Sequence, residues 1–395
     1  MNSFDFDTII DRRNTNCGKW DTMDQKYKVK DLIHLGVADM DFRSPEPIIH
    51  SFSNCLEHGI FGYTDLNEEY YSSFIKWMKR WHQVEVNRDE IVFCPRINIA
   101  AGLCVEAFTN KGDQVLIQTP AYGPLYQSVV KNSREVLENP LIKREDTYEI
   151  DIEHLEKSVT NKTKMLILCS PHNPVGRVWT KEELDKIGEF CIKHNLILFV
   201  DEIHGDIVKK GVHFLSALKG NEKIRERLIV ATSPTKTFNI PGVIVSYLVI
   251  PNEQLREKVK FEIDRVGMHN PTIFAVKAVE SAYTLCDSWY EKMLEYIDEN
   301  ERFTREYFQT FMPEFHIYKR EGTYLLWINY EKLGVHEEQL EQWFLHQANV
   351  TVYMGTVFQE VGRGFFRLNL ASPKALLKEA FERMKKVYPL LKDRE

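Results

Sequence analysis

The chain has 395 residues, 43% of them hydrophobic, enough to bury one large core and a smaller one, because single cores stop growing near about 250–300 residues. Its 51 Lys and Arg against 58 Asp and Glu give a formal charge of -7 with no basic tract to follow a polyanion, so nucleic acid is not an expected partner. Seven cysteines without a CxxC pair argue against a disulfide framework or a zinc site, and the longest apolar runs, MLILC and LILFV, fall far short of the roughly 20 residues that span a bilayer.

In chain order, the first segment, MNSFDFDTIIDRR, carries acids where a signal peptide has a basic start and an apolar stretch, so the cytoplasm is the expected location. Residues 1–45 show little periodicity and suit an arm lying over another surface. From residue 46, helix-like stretches (PEPIIHSFSNCLEHG, EEYYSSFIKWMKRWH, INIAAGLCVEAFT) alternate with short apolar segments (EIVFC, QVLIQ, KMLILC, LILFVD, LIVATS, VSYLVI). That alternation predicts a mostly parallel sheet wrapped by helices. Near residue 285 it gives way to a long helical tract ending at Pro313, followed by GTYLLWINY, a helix around HEEQLEQWFLHQA, TVYMG, FFRLNL and a closing helix, a pattern that predicts a compact α+β lobe. The expected division is an arm over 1–45 that contributes to the small domain, a large domain over 46–285 and a small domain over 286–395. No Pro/Gly-rich linker separates the lobes, so they are expected to pack closely.

Four segments carry chemistry, each directly after an apolar run. TPAYGP (119–124) puts the Tyr122 ring at a strand end, where it can stack on a flat cofactor or be a plain rim residue. CSPHNPVGRVWT (169–180) makes a rigid turn from which Asn173 can offer an amide donor, although NPxG by itself is no more than a turn. In NLILFVDEIHGD the apolar run ends at Asp201. A carboxylate buried there needs a cation, which a protonated pyridine nitrogen would supply; the alternative is an Asp that caps a following helix. Glu202, His204 and Asp206 match no HExxH spacing, so no metal is expected. Finally, SPTKTFNIPG (233–242) follows LIVAT and sets Lys236 in the crevice outside the carboxyl ends of the strands, where α/β sheets bind ligands.

The order aromatic, amide, carboxylate, lysine resembles fold-type I pyridoxal-phosphate enzymes, and within them the MalY/PatB group of carbon–sulfur β-lyases. The likeness covers nearly the whole chain and includes DRRNTNCGKWD, VADMDF, GYT at 62–64 and RLNLASP at 367–373. It implies an α/β fold of the aspartate aminotransferase type, with a large mostly parallel-sheet domain and a smaller α+β domain, and pyridoxal 5'-phosphate as cofactor. It makes Lys236 the Schiff-base lysine, Asp201 the pyridinium partner, Asn173 the donor to the ring oxygen O3′ and Tyr122 the stacking ring with a catalytic part. Ser233 would help hold the phosphate, and the N–H groups of Ile97 and Asn98 at a helix start are suited to the same task. His204 joins the cofactor contacts. Tyr63 matches a tyrosine that reaches the phosphate of the neighbouring subunit, which implies a homodimer with shared active sites. Arg367 would grip the substrate α-carboxylate, a job for its bidentate fork, with Asp39 and Tyr63 also among the substrate contacts.

The implied reaction releases a thiol, pyruvate and ammonia from cystathionine, cystine or another S-substituted cysteine. Two departures stand out. Gly36 replaces a tryptophan that related lyases tend to have, which predicts a more open pocket wall. Arg96 stands where they have a Gly-containing turn, and either adds charge near the phosphate or meets an acidic substrate. The rival readings are an aminotransferase on the same scaffold and a cofactor-binding regulatory protein with little catalysis. Against the first, Ile244 occupies the place, eight residues after Lys236, where many aminotransferases carry a basic phosphate ligand.

Overall fold

The computed structural model describes residues 4–392, so the first three residues of the expected arm lie outside the described residues. The strands Ile91–Cys94, Thr163–Cys169, Ile197–Asp201 and Leu228–Thr232 are buried at nearly every position. A strand with no polar face must be covered on both sides, which helices joining parallel strands accomplish. The result is a seven-stranded sheet in the order Ile91–Cys94, Ser246–Val249, Leu228–Thr232, Ile197–Asp201, Thr163–Cys169, Gln114–Thr119, Glu135–Pro140. Ser246–Val249 runs antiparallel to both neighbours, and the remaining pairs are parallel.

Successive strand side chains point to opposite faces. Leu166, Leu168, Leu198, Val200 and Val230 therefore join the core beneath Glu68–His82, Lys181–Lys193 and Ile273–Leu285. Ile167, Phe199, Ile229 and Ala231 join the core beneath Ile97–Phe108 and Glu253–Arg265. This is the α/β layering that the alternation predicts. From Gln114–Thr119 the chain adds Glu135–Pro140 on one side and Thr163–Cys169 on the other, so the strand order reverses between Thr119 and Cys169. A crevice opens at such a reversal, outside the carboxyl ends of the strands.

A four-stranded antiparallel sheet, in the order His316–Ile317, Leu325–Asn329, Phe365–Asn369, Tyr353–Met354, forms the C-terminal part. The 25-residue helix Asp287–Phe311 connects it to the rest, and Asn300 on that helix donates to Leu370 O and Ser372 O, both at 2.9 Å. The segment after Ile33–His34 is stitched onto the strand Phe365–Asn369. Asn369 N donates to Leu35 O at 2.8 Å, and Asn369 Nδ2 donates to Val37 O and Asp39 O at 2.8 and 2.7 Å. Residues 35–39 thereby become a fixed ledge at the mouth of the crevice.

The ledge is locked by the N-terminal arm. Lys19 is fully buried, and its Nζ lies 2.6 Å from Asp41 Oδ2 and 3.8 Å from Asp39 Oδ1. Trp20 Nε1 donates to Asp41 Oδ1 at 3.1 Å, and Arg12 pairs with both carboxylates. Burial alone would raise the Asp41 pKa, but Lys19, Ser372 and Arg12 hold it below its ordinary value. The KWD and VADMDF segments are thus two halves of one charged clamp. Removing one partner of a buried ion pair costs about 3–5 kcal/mol, because the other charge stays buried and uncompensated. Lys19→Ala leaves Asp41 with Arg12, Trp20 and Ser372, so it should lower the unfolding free energy by less than that, about 1.5–3 kcal/mol, read as a lower denaturant midpoint with an unchanged slope.

Candidate active site

The carboxyl ends of the parallel strands bring Tyr122, Asn173, Asp201, His204, Ser233 and Lys236 around one cavity of about 130 Å³, which Arg96, Ile97 and Asn98 also line. Lys236 stands on the four-residue helix Pro234–Thr237, capped by Ser233, whose Oγ accepts from Thr235 N at 3.1 Å and donates to Val245 O at 2.6 Å. The Ser233 proton is therefore committed to Val245 O, although the residue lines the cavity. Lys236 Nζ donates to Ala38 O on the ledge, an acceptor it shares with the Tyr324 hydroxyl at 2.9 Å. Tyr324 is buried and does not stand out in the sequence, where it reads as one more aromatic residue leading into a strand.

Burial pushes the Lys236 pKa down to about 8; Asp39 and Asp201 favour its charged form, and Arg367 and Arg96 oppose it. Asp39 thus acts on the site as a charge, while its oxygens are engaged by Arg12 at 2.6 and 3.2 Å. Acylation of the Lys236 amine should therefore follow a titration midpoint near pH 8, against about 10.5 for an exposed lysine. Between those values the unfolded chain holds a proton that the folded chain has released, so this group makes the fold more stable as pH rises from about 8 to about 10.5.

Asp201 ends its strand between Cys169 and Ala231 and is 4% exposed. Its Oδ1 accepts from Ile203 N at 3.0 Å, and it forms no ion pair among the described residues. Burial raises its pKa to about 6. The residues after it form a turn, not a helix, so the capping alternative is not realised. His204 lies on that turn, with its ring edge-on to Tyr324 and its Nδ1 buried without a hydrogen-bond partner.

Arg367 is the opposite charge in the same predicament. At 2% exposure it donates from Nη1 to Asn173 Oδ1 and from Nη2 to Gly36 O, both at 2.8 Å, while Nε is buried without a partner. No carboxylate pairs with it among the described residues, and burial lowers its pKa to about 10. The bond to Asn173 takes the amide oxygen and leaves Nδ2 as the group that can donate elsewhere. The guanidinium lies between the Tyr353 and Phe358 rings, 5.1 and 4.8 Å from their centroids.

Tyr353 also corrects the expectation of an open wall at Gly36. A Cβ placed on Gly36 would lie 3.2 Å from Tyr353 Cδ1 and 3.2 Å from the Val352 carbonyl carbon. The tyrosine ring fills the space a larger residue at position 36 would take. Neither Tyr353 nor Phe358 stands out in the sequence; the single hint is aromatic content in the short strands of the C-terminal part.

Tyr122 precedes the helix Gly123–Val130 and lines the cavity with a partly exposed ring. The helix Ile97–Phe108 begins at the cavity, and its first N–H groups have no partner within the helix, which makes that end attractive to an anion. Tyr63 is fully exposed and is not part of the cavity in its own chain.

The unpaired buried Asp201 and Arg367 are costly unless a ligand carries a cation to the first and an anion to the second. Comparison with known proteins agrees with a site of that kind. The model of the aminotransferase class I and II family matches residues 30–384. The cystathionine beta-lyase PatB of Bacillus subtilis (strain 168) is 35% identical over 381 residues, covering 96% of this chain and 98% of that protein. Among solved structures, cystalysin from Treponema denticola, which contains a pyridoxal 5'-phosphate cofactor, superposes with a TM-score of 0.95 at 36% identity, covering 98% of this chain and all of its own. A pyridoxal-phosphate-bound C-S lyase from Staphylococcus hominis superposes with a TM-score of 0.89 at 30% identity, covering 97% of this chain and 98% of its own.

Proposed function

This chain belongs to the aminotransferase class I and II family, and from that premise we propose that it is a pyridoxal-phosphate-dependent carbon–sulfur β-lyase acting on cystathionine, cystine or related S-substituted cysteines. The observation that carries the reading is the pair of buried, unpaired charges, Asp201 and Arg367, beside a buried lysine of lowered pKa.

The residues fit the cofactor. Asp201, which lacks a cation, would face the ring nitrogen, Asn173 Nδ2 would donate to the ring oxygen, and Tyr122 would flank the ring. The N–H groups of Ile97 and Asn98 would hold the phosphate, with Arg96 adding positive charge at that end; Ser233 and His204 line the same wall. When bound, pyridoxal phosphate supplies an electron-withdrawing ring that accommodates the electron pair left at Cα after proton loss.

The protein's own groups then divide the work. Arg367 holds the α-carboxylate with its fork, oriented by Asn173 and Gly36 O. Lys236 is the covalent anchor and, once released, the base. Burial of its amine lowers the Lys236 pKa from the ordinary lysine value, which favours the neutral form that a base needs. Tyr324 and Ala38 O hold its amine in place. The Cβ–S electron pair leaves with sulfur as thiolate, and water converts the three-carbon remainder to pyruvate and ammonia.

Ile244 supports a lyase over a transferase. It lines the cavity with φ 61°, a left-handed backbone that a β-branched residue seldom adopts, where many aminotransferases place a basic phosphate ligand. Cystathionine supplied without any keto acid separates the possibilities. Release of pyruvate and thiol is expected; strict dependence on an added keto acid would indicate transfer, and no turnover of any thioether despite bound cofactor would indicate a regulatory protein.

We also place the enzyme in the cytoplasm as a homodimer with shared active sites, and take residues 46–285 as the cofactor-holding domain and 286–395, with the arm 1–45, as the small domain. The fully exposed Tyr63 supports the dimer, being available to a neighbouring subunit, and seven free cysteines suit a reducing compartment. Sedimentation of the loaded enzyme, with Tyr63→Phe as a probe of cofactor affinity, tests the shared site.

A further inference from the structure

A helix of four residues has no stability of its own, since one turn cannot repay the ordering of its backbone. The place of Lys236 on Pro234–Thr237 is therefore set by whatever holds the two ends of that helix. Ser233 holds the first end. At the second, Thr237 Oγ1 donates to Asp206 Oδ2 at 2.6 Å.

Asp206 lies five residues beyond Asp201, at the end of the turn that carries His204, and is buried. Its Oδ1 accepts from Trp77 Nε1 at 3.0 Å and pairs with His82 Nε2 at 2.6 Å, both on the helix Glu68–His82. Its carbonyl accepts from the Tyr290 hydroxyl at 2.7 Å, on the helix Asp287–Phe311. The carboxylate thus joins the loop that presents Asp201 to the turn that presents Lys236 and to the helix Glu68–His82, and the carbonyl of the same residue ties that loop to the helix Asp287–Phe311.

We propose that Asp206, acting through Thr237, is a positioning residue that fixes Lys236 relative to Asp201. The inference rests on Lys236 being the reacting amine. A misplacement of that amine by about 1 Å is enough to cost roughly 100-fold in rate, whereas the chain remains folded around its large cores.

Thr237→Val is nearly isosteric and removes the hydroxyl, while Thr237→Ser keeps it. In the cofactor-loaded enzyme, Thr237→Val should lower kcat per bound cofactor by about 10- to 100-fold with KM changed less than about twofold. It should also shift the absorption of the bound chromophore and weaken the binding of pyridoxal phosphate titrated into cofactor-free protein. Thr237→Ser should restore all three to near wild type. A merely structural role would reduce the folded fraction without changing kcat per bound cofactor or the absorption, and that result, like wild-type behaviour of Thr237→Val, overturns the proposal. If Thr237→Val does not accumulate as folded protein, Asp206→Asn is measured in its place: the same losses support the proposal, and unchanged kcat per bound cofactor overturns it. Undiminished activity of Lys236→Ala would instead overturn the functional reading on which the proposal rests, so the two failures are distinct.

Discussion

Lys236→Ala is expected to reduce thiol release from cystathionine by about 10⁴-fold or more while leaving the fold intact. Positioned bases contribute about 10²- to 10⁴-fold, and here the covalent anchor is lost together with the base. The two losses fall on one side chain and act as a unit, so they set a floor and do not multiply cleanly. Lys236→Arg should be nearly as inactive, because a guanidinium keeps its proton at any accessible pH and cannot serve as the base. Stability should not follow activity. Ala38 O retains the Tyr324 hydroxyl as donor, and the deleted ammonium was itself opposed by burial. Thermal unfolding of the cofactor-free variant near pH 7 should therefore match or exceed that of the cofactor-free parent protein. Hydride trapping of the loaded parent enzyme should label Lys236; labelling of another lysine, or substantial activity in the alanine variant, refutes the assignment.

Six of the seven strands of the central sheet are legible because strands covered on both faces must be apolar throughout, and that signal is local; the edge strand Glu135–Pro140, partly exposed and polar in sequence, carries no such signal. Tyr122, Asn173, Asp201 and Lys236 are legible for a related reason. Each stands at the end of a buried strand or within four residues of it, and parallel strands deliver their carboxyl ends to one edge, so residues dispersed over more than a hundred positions converge without any long-range contact being known. Other features depend on which distant residues touch, and a single sequence does not encode that openly. Lys19 and Trp20 read as part of a subgroup motif, yet their work is to neutralise Asp41 and lock the ledge that carries Ala38. Gly36 reads as an opening because its partner Tyr353 lies on a short strand of the other sheet. Asp206 invites only the question of a metal ligand, since its true partners Trp77, His82, Thr237 and Tyr290 come from three other elements.

Arg367→Ala is expected to lower kcat/KM for cystathionine by about 10³-fold, a loss of roughly 4 kcal/mol. Truncating one member of a buried, hydrogen-bonded charge pair costs about 3–5 kcal/mol, and the bound α-carboxylate would be left as the uncompensated partner. The guanidinium is ready for that role because it has already been desolvated. Burial lowers its pKa to about 10, Nε is without a partner, and the Tyr353 and Phe358 rings lie 5.1 and 4.8 Å from it. The loss should appear chiefly in KM, with a smaller fall in kcat because Asn173 loses the bond that orients its amide. Arg367→Lys keeps a charge but not the planar fork and should recover a minor part of the activity. A substrate whose α-carboxylate is replaced by a primary amide provides the control. The parent enzyme should discriminate against the amide by about the same factor that the alanine mutation costs, and the alanine variant should discriminate hardly at all. Equal discrimination by both proteins would mean that another group holds the carboxylate and that Arg367 is buried for a different purpose.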